Sequence, residues 1–416
     1  MYSHKSNPLI VSCHLPNISI QFLPFFYFLF LLTPIAIFYT QKIYFAYVVV
    51  IFYLLFYIFS LRTVYLISIL SYSKFLFLLF IVINISLFWT TNLGDTLLYL
   101  AIFDHIPIIY LCLSITIIFS STLQRSAVFV YISLLCFLIN VALLLEFGTV
   151  RAYHHDMREI VKSYSNYMST MMEVCLPMLF YRLKCKSTKY ITIFAIILTL
   201  FNIVVSESRG GVLTLVLFSI LLPIFYFRSK TNRIITFGLI LIIILSGAIS
   251  IFQFGIYEKL EVLERFSEFE GIRGIVSSSD PSDLSARLLM YHHGISLIMA
   301  HPLLGIGWGS FLSSMENTFG VGVIPHNFII EIWSSSGIFG VGLLMLTLYV
   351  AFGRLYRHYQ LNINIDRSIS YWCLANIMCL VLLCFQGLFR PFLTNILLYF
   401  PLAEAFVFTR IEHTKN

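Results

Sequence analysis

Charge is what this sequence has least of. Of its 416 residues 11% are charged and 59% hydrophobic, where a soluble globular chain carries about 25% charged and about 45–50% apolar residues. That balance excludes a soluble enzyme, a disordered chain and a nucleic-acid reader. The net charge of +7 is read instead as the basic bias of cytoplasmic loops. The eight cysteines form no C-x-x-C pair and no zinc spacing. Cys112, Cys136, Cys175, Cys373, Cys379 and Cys384 sit in apolar runs, Cys185 in a basic loop and Cys13 near the start, so neither disulfides nor a metal are expected. The sequence also lacks an internal repeat, a lipidation box, a D-x-D pair for a metal-bound nucleotide sugar and a Walker lysine motif. No small-residue cleavage site follows the first apolar run, so that run is read as a retained span. No cofactor is expected.

What the chain has is long apolar runs. A helix needs about 20 residues to cross a bilayer. Runs at about 18–40, 43–61, 74–91, 96–121, 126–147, 163–181, 188–206, 210–227, 234–255, 327–352, 368–388 and 391–409 predict an all-α integral membrane protein with about 12 spans. Asp104, His105 and Pro107 interrupt the fourth. With the N-terminus inside, sixteen of the 26 Lys and Arg residues fall in cytoplasmic segments, chiefly "YRLKCKSTK", "YFRSKTNR" and the stretch from Arg354 to Arg367. Ten fall outside, over a much longer loop length. The basic bias sets this orientation, and an even span count puts both termini in the cytoplasm.

Two exterior segments are long: 148–162 and about 256–326. The second begins "YEKLEVLERFSEFE", read as a helix near the membrane surface. A second helix follows, with Asp280 as N-cap, Pro281 at the first helical position and Asp283 at the third. "HPLLGIGWGSF" then forms a glycine-rich loop, and the chain re-enters the membrane at "IPHNFIIEIW".

Ionisable residues at the membrane are costly and point to function. Arg209, in "SESRGG", is either an interfacial arginine snorkelling to lipid phosphates or a planar fork of donors for a phosphate ligand. Gly210 and Gly211 would let that ligand approach the backbone, and Glu207 is the nearest counter-charge in sequence. Arg287 either pairs with Asp283 at i,i+4, worth about 0.2–0.5 kcal/mol, or acts as a second phosphate clamp. His326, after Pro325 at the start of a span, is either a helix-start residue or a general base, since a helix N-terminus disfavours the imidazolium. Glu331 is expected to pack inside the bundle. Arg390, in "GLFRPF", either anchors at the interface or adds positive charge to the same exterior face. His154, His155 and Asp156, like His292 and His293, make poor metal sites, because adjacent histidines point apart on a helix. "GIGWG" has no preceding strand and is no nucleotide loop. Asp104, Glu146, Glu173 and Glu404 lie in or near spans without a basic partner evident in sequence, a weak case for a proton path.

Three stretches in order resemble the O-antigen ligase family. "SESRGGVLTLVL" resembles its S-R-G-A element, with Gly211 where alanine is common. "HPLLGIGWGSF" resembles its loop motif. "PHNFIIEIWSSSGIFG" is similar to its pattern of His326 and Asn327, nine residues, then Gly337 and Gly340. The likeness covers roughly residues 160–400. It implies N-terminal transmembrane helices over 1–150 and an O-antigen ligase-like membrane domain over 151–416, with a periplasmic loop at 256–326. It further implies a metal-independent, inverting glycosyltransferase of the bacterial inner membrane, acting in lipopolysaccharide biosynthesis. Such an enzyme moves a glycan from undecaprenyl diphosphate to the lipid A core on the periplasmic face. His326 is the implied catalytic residue, and Arg209 and Arg287 the implied diphosphate ligands, with Arg390 contributing charge. An O-antigen polymerase of the same superfamily is the nearest alternative. A lipid-linked oligosaccharide flippase or ion-coupled transporter is a further one, but it would call for a two-fold repeat and charges near mid-membrane.

Overall fold

The computed structural model describes residues 69–94, 96–97, 100, 105–147, 164–184, 189–205, 209–226, 284–319, 325–388 and 396–409. The spans expected at 18–40, 43–61 and 234–255 lie outside these residues, as do the segment 148–162, residues 256–283 and Arg390. Among the described residues every regular element is helical: α1 (Lys74–Ile85), α2 (His105–Phe119), α3 (Thr122–Phe147), α4 (Tyr164–Lys184), α5 (Lys189–Val205), α6 (Arg209–Tyr226), α7 (Leu284–Ala300), α8 (Ser310–Phe319), α9 (Phe328–Asn362), α10 (Arg367–Gly387) and α11 (Tyr399–Ala403), which runs on into a π turn, Glu404–Phe408. Each expected apolar run within the described residues is a helix. Three of them, Thr122–Val141, Phe328–Asn362 and Arg367–Gly387, are long and apolar enough to cross a membrane. Lys74–Phe88, Lys189–Ile203, Gly211–Pro223 and Tyr399–Phe408 are shorter apolar helices.

Interior polar pairs set how the helices meet. Asn140 Nδ2 donates to Asn202 Oδ1 at 3.0 Å, and the Ser133 and Thr199 hydroxyls meet at 2.8 Å, tying α3 to α5. Tyr181 Oη donates to Thr122 Oγ1 at 2.9 Å and meets Ser368 Oγ at 3.0 Å. The end of α4 is thereby joined to the starts of α3 and α10. Such interhelical bonds are worth about 0.6 kcal/mol each in a membrane bundle.

These contacts sort the helix ends into two groups. Lys184, Lys189, Arg354, Arg357 and Arg367 gather at one end. Arg354 Nη1 donates there to the Tyr72 carbonyl at 3.1 Å. The starts of α4, α6 and α9 and the end of α10 form the other. At the basic end Arg125 and Glu404 form a fully buried ion pair at 2.7 Å. Arg125 Nη2 and Trp372 Nε1 both donate to Glu404 Oε2, at 3.1 and 2.8 Å. Glu404 therefore has the basic partner that sequence order hid, 279 residues away.

Helix α9 departs from the single span expected at 327–352. Gly337, at φ 63°, ψ −163°, breaks it into 328–336 and a longer second part.

Candidate active site

Asn327 starts α9. Its extended backbone (φ −152°, ψ 119°) lets Oδ1 accept from Ile329 N at 3.0 Å and Ile330 N at 3.3 Å, which satisfies donors that a helix start leaves open. The capping role therefore belongs to Asn327. His326 stands one residue before the cap, half-buried and spared from holding the helix start.

The short helical segment behind His326 is held by the glycine loop. At the break, the carbonyls of Ser334 and Ser335 lose their helical donors. Ile306 N takes the first at 2.7 Å and Gly307 N the second at 3.0 Å. In return Ile338 N donates to the Pro302 carbonyl at 3.0 Å, and Trp333 Nε1 donates to the same oxygen at 3.2 Å. Gly305, Gly307 and Gly309 all have positive φ (69°, 96° and 84°), which only glycine adopts without strain. The loop also grips the end of α1. Trp89 Nε1 donates to Leu304 O at 2.8 Å, Trp308 N donates to Ser86 Oγ at 3.0 Å, and the Thr90 and Ser310 hydroxyls meet at 2.6 Å. "GIGWG" is thus a clamp on a broken helix.

Arg287 lies in the first turn of α7. One turn on, Tyr291 Oη donates to the His326 carbonyl at 3.4 Å. Further along, a Cβ on Gly294 would stand 2.3 Å from Ile330 Cγ2, so α7 lies directly against the histidine's segment. Ile330 and Tyr291 fix two points of that contact. His293, on the other side of α7, meets Ser314 Oγ at 2.9 Å and packs between Phe311 and Phe319. Burial holds its imidazole below the ordinary 6.5, and the neighbouring His292 adds to this. It pins α8 to α7. Asp283, Glu207 and the cluster at His154 lie outside the described residues. Among the described residues no three His, Cys, Asp or Glu side chains come together as a metal site.

Arg209 opens α6. Gly211 packs against α4 so closely that a Cβ there would stand 1.9 Å from Ser169 Oγ and 3.4 Å from Glu173 Oε1. Glu173, 2% exposed, accepts from Ser169 Oγ at 2.9 Å and from Gln386 Nε2. The same Gln386 amide donates to Thr214 Oγ1 at 2.9 Å, and Thr170 Oγ1 donates to Gln386 Oε1 at 3.2 Å. This buried polar node joins α4, α6 and α10 at the end of the bundle where α9 begins. Sequence reasoning set Glu173 aside as one scattered acid. The run of Ser169, Thr170 and Glu173 along one side of an apolar helix was the available signal. Glu331, as expected, is buried on α9.

Taken together, the described residues form a helical bundle, three of whose helices are long and apolar enough to cross a membrane. At one end of this bundle lie the capped histidine segment, with the helix that carries Arg287 packed against it, and, separately, the helix start that carries Arg209. Residues 194–345 match the family model described as O-antigen ligase. This matched stretch holds Arg209, Arg287 and His326. No curated protein matches the chain.

Proposed function

We propose that the chain is an O-antigen ligase, a glycosyltransferase that moves an undecaprenyl-diphosphate-linked polysaccharide onto the lipid A core. The observation that carries this reading is the seat of the Arg287 helix against the His326 segment, inside the matched stretch that also contains Arg209. The acceptor hydroxyl attacks the anomeric carbon from the face opposite the diphosphate. Its proton passes to the His326 imidazole as the new C–O bond forms. The bond to the phosphate oxygen breaks, and undecaprenyl diphosphate leaves with its charge held by Arg209 and Arg287, with Arg390 adding positive charge. Fixed cations placed where charge develops stabilise such a leaving group without a metal. Both substrates are lipid-anchored, so confinement to one leaflet and orientation supply much of the rate.

The proposed setting is the bacterial inner membrane. About twelve spans cross it, both termini lie in the cytoplasm and the site is on the periplasmic face. Residues 1–150 form the N-terminal helices and 151–416 the ligase-like domain. The gathering of Lys184, Lys189, Arg354, Arg357 and Arg367 at the opposite end supports this orientation. Deleting the gene tests the activity. Lipid A core without O-antigen, with long lipid-linked chains accumulating, is the expected result. A core carrying a single repeat unit would instead assign the chain as a polymerase.

A further inference from the structure

The family match begins at residue 194, so Glu173 and the node around it fall partly outside it, yet the node sits directly under the start of the Arg209 helix. We propose that Glu173 is a positioning residue for the donor diphosphate, acting through Arg209. The inference rests on the ligase reading above.

Three observations carry it. The carboxylate is buried, and both oxygens are engaged, one by Ser169 and one by Gln386, so its place is determined from two helices. The third residue of α6 has no room for even a methyl group between it and Ser169, and its Cβ position is 3.4 Å from Glu173 Oε1. The first turn of α6 is therefore seated on the carboxylate. Gln386 also grips α6 one turn deeper, at Thr214, so helix tilt is fixed as well as helix height. A negative charge at a helix N-terminus is favoured by the helix field. Removing that charge takes an acid from beneath the start of α6 and frees the turn that carries Arg209 to shift against α4. A displacement of about 1 Å of a substrate-positioning group costs on the order of 10²-fold in rate.

The test uses the full-length protein in lipid nanodiscs, with undecaprenyl-diphosphate-linked glycan as donor and purified lipid A core as acceptor. Initial rates are measured against each substrate for wild type, Glu173→Ala, Glu173→Gln, Arg209→Ala and the double variant Glu173→Ala/Arg209→Ala. We expect Glu173→Ala to raise the donor KM by roughly tenfold or more and to leave the acceptor KM unchanged. Glu173→Gln keeps the shape and removes the charge, and it should move the donor KM in the same direction. In the Arg209→Ala background, Glu173→Ala should cost less than about twofold further, because residues acting as a unit are not additive. Equal changes in both KM values, multiplying losses in the double variant, or a Glu173→Gln donor KM equal to wild type would each overturn the inference. A wild-type chain that transfers no glycan overturns the ligase reading and this inference with it. Wild-type turnover with an unmoved donor KM in the Glu173 variants overturns the inference alone.

Discussion

Gly337 lies so close to Leu303 that a Cβ on the glycine would stand 2.0 Å from the Leu303 carbonyl oxygen. Two motifs more than thirty residues apart are thus one structural device. The glycine-rich loop supplies the hydrogen bonds that the break in α9 releases. The break in turn lets the His326 segment point away from the long apolar part of the helix.

Gly337→Ala should therefore lower the yield of folded protein sharply. The alanine meets a carbonyl and must hold φ 63°, a conformation that costs about 1–3 kcal/mol outside glycine. Gly305→Ala should behave alike, because its Cβ would stand 2.6 Å from the Ser334 carbonyl oxygen. Gly342→Ala and Gly353→Ala have open space within 4 Å and should leave the thermal midpoint in detergent unchanged or slightly raised. Equal loss at all four positions would contradict the clamp.

At the site, His326→Ala should reduce transfer by about 10²–10⁴-fold, the range for loss of a general base, at normal membrane levels. His326→Asn should also fail, since Asn327 already caps the helix. Arg209→Lys should lose most activity, because an ammonium keeps the charge without the planar fork. Arg287→Ala should be severe and Asp283→Ala mild. Near-normal ligation by His326→Asn would remove the base assignment.

At the opposite end, Arg125→Ala or Glu404→Ala should each destabilise the bundle by about 3–5 kcal/mol, the cost of leaving one buried charge without its partner. Replacing both with apolar residues of similar size should cost much less. Thermal unfolding in detergent distinguishes the two. Equal losses for the single and double replacements would mean that packing alone matters there.

The contact between α7 and α8 should weaken in acid. Burial holds His293 below the ordinary 6.5, so the folded chain keeps this imidazole neutral where the unfolded chain has taken up a proton. The contribution is fully present above about 6.5 and is lost as pH falls from there through the lowered folded value. Cysteine labelling at position 315, whose methionine is buried against Phe311, should speed up between pH 7 and pH 5. In the His293→Gln variant that pH dependence should flatten. A slope unchanged by His293→Gln would place the sensitivity elsewhere.

The helices were legible because a bilayer demands long apolar runs whatever their tertiary setting. Each expected run within the described residues is helical, although α9 runs on to Asn362, ten residues past its expected end, and the helix in the run at 96–121 begins at His105. Arg209, Arg287 and His326 were singled out by residue type and motif order, since charge beside a membrane is costly enough to need a reason. The break at Gly337 was not legible, because a glycine inside an apolar run reads the same whether or not the helix bends.

Local chemistry along the chain thus determined which segments are helical and which side chains are candidates for the reaction. Tertiary structure alone decided what those residues meet. Glu404 found Arg125 across 279 positions, and Glu173 found Gln386 across 213. The carbonyls of Ser334 and Ser335 found the N–H groups of Ile306 and Gly307. Hydropathy and periodicity report only near neighbours. A buried charge or a freed carbonyl needs a partner, but only the packing of the helices brings one within hydrogen-bonding distance.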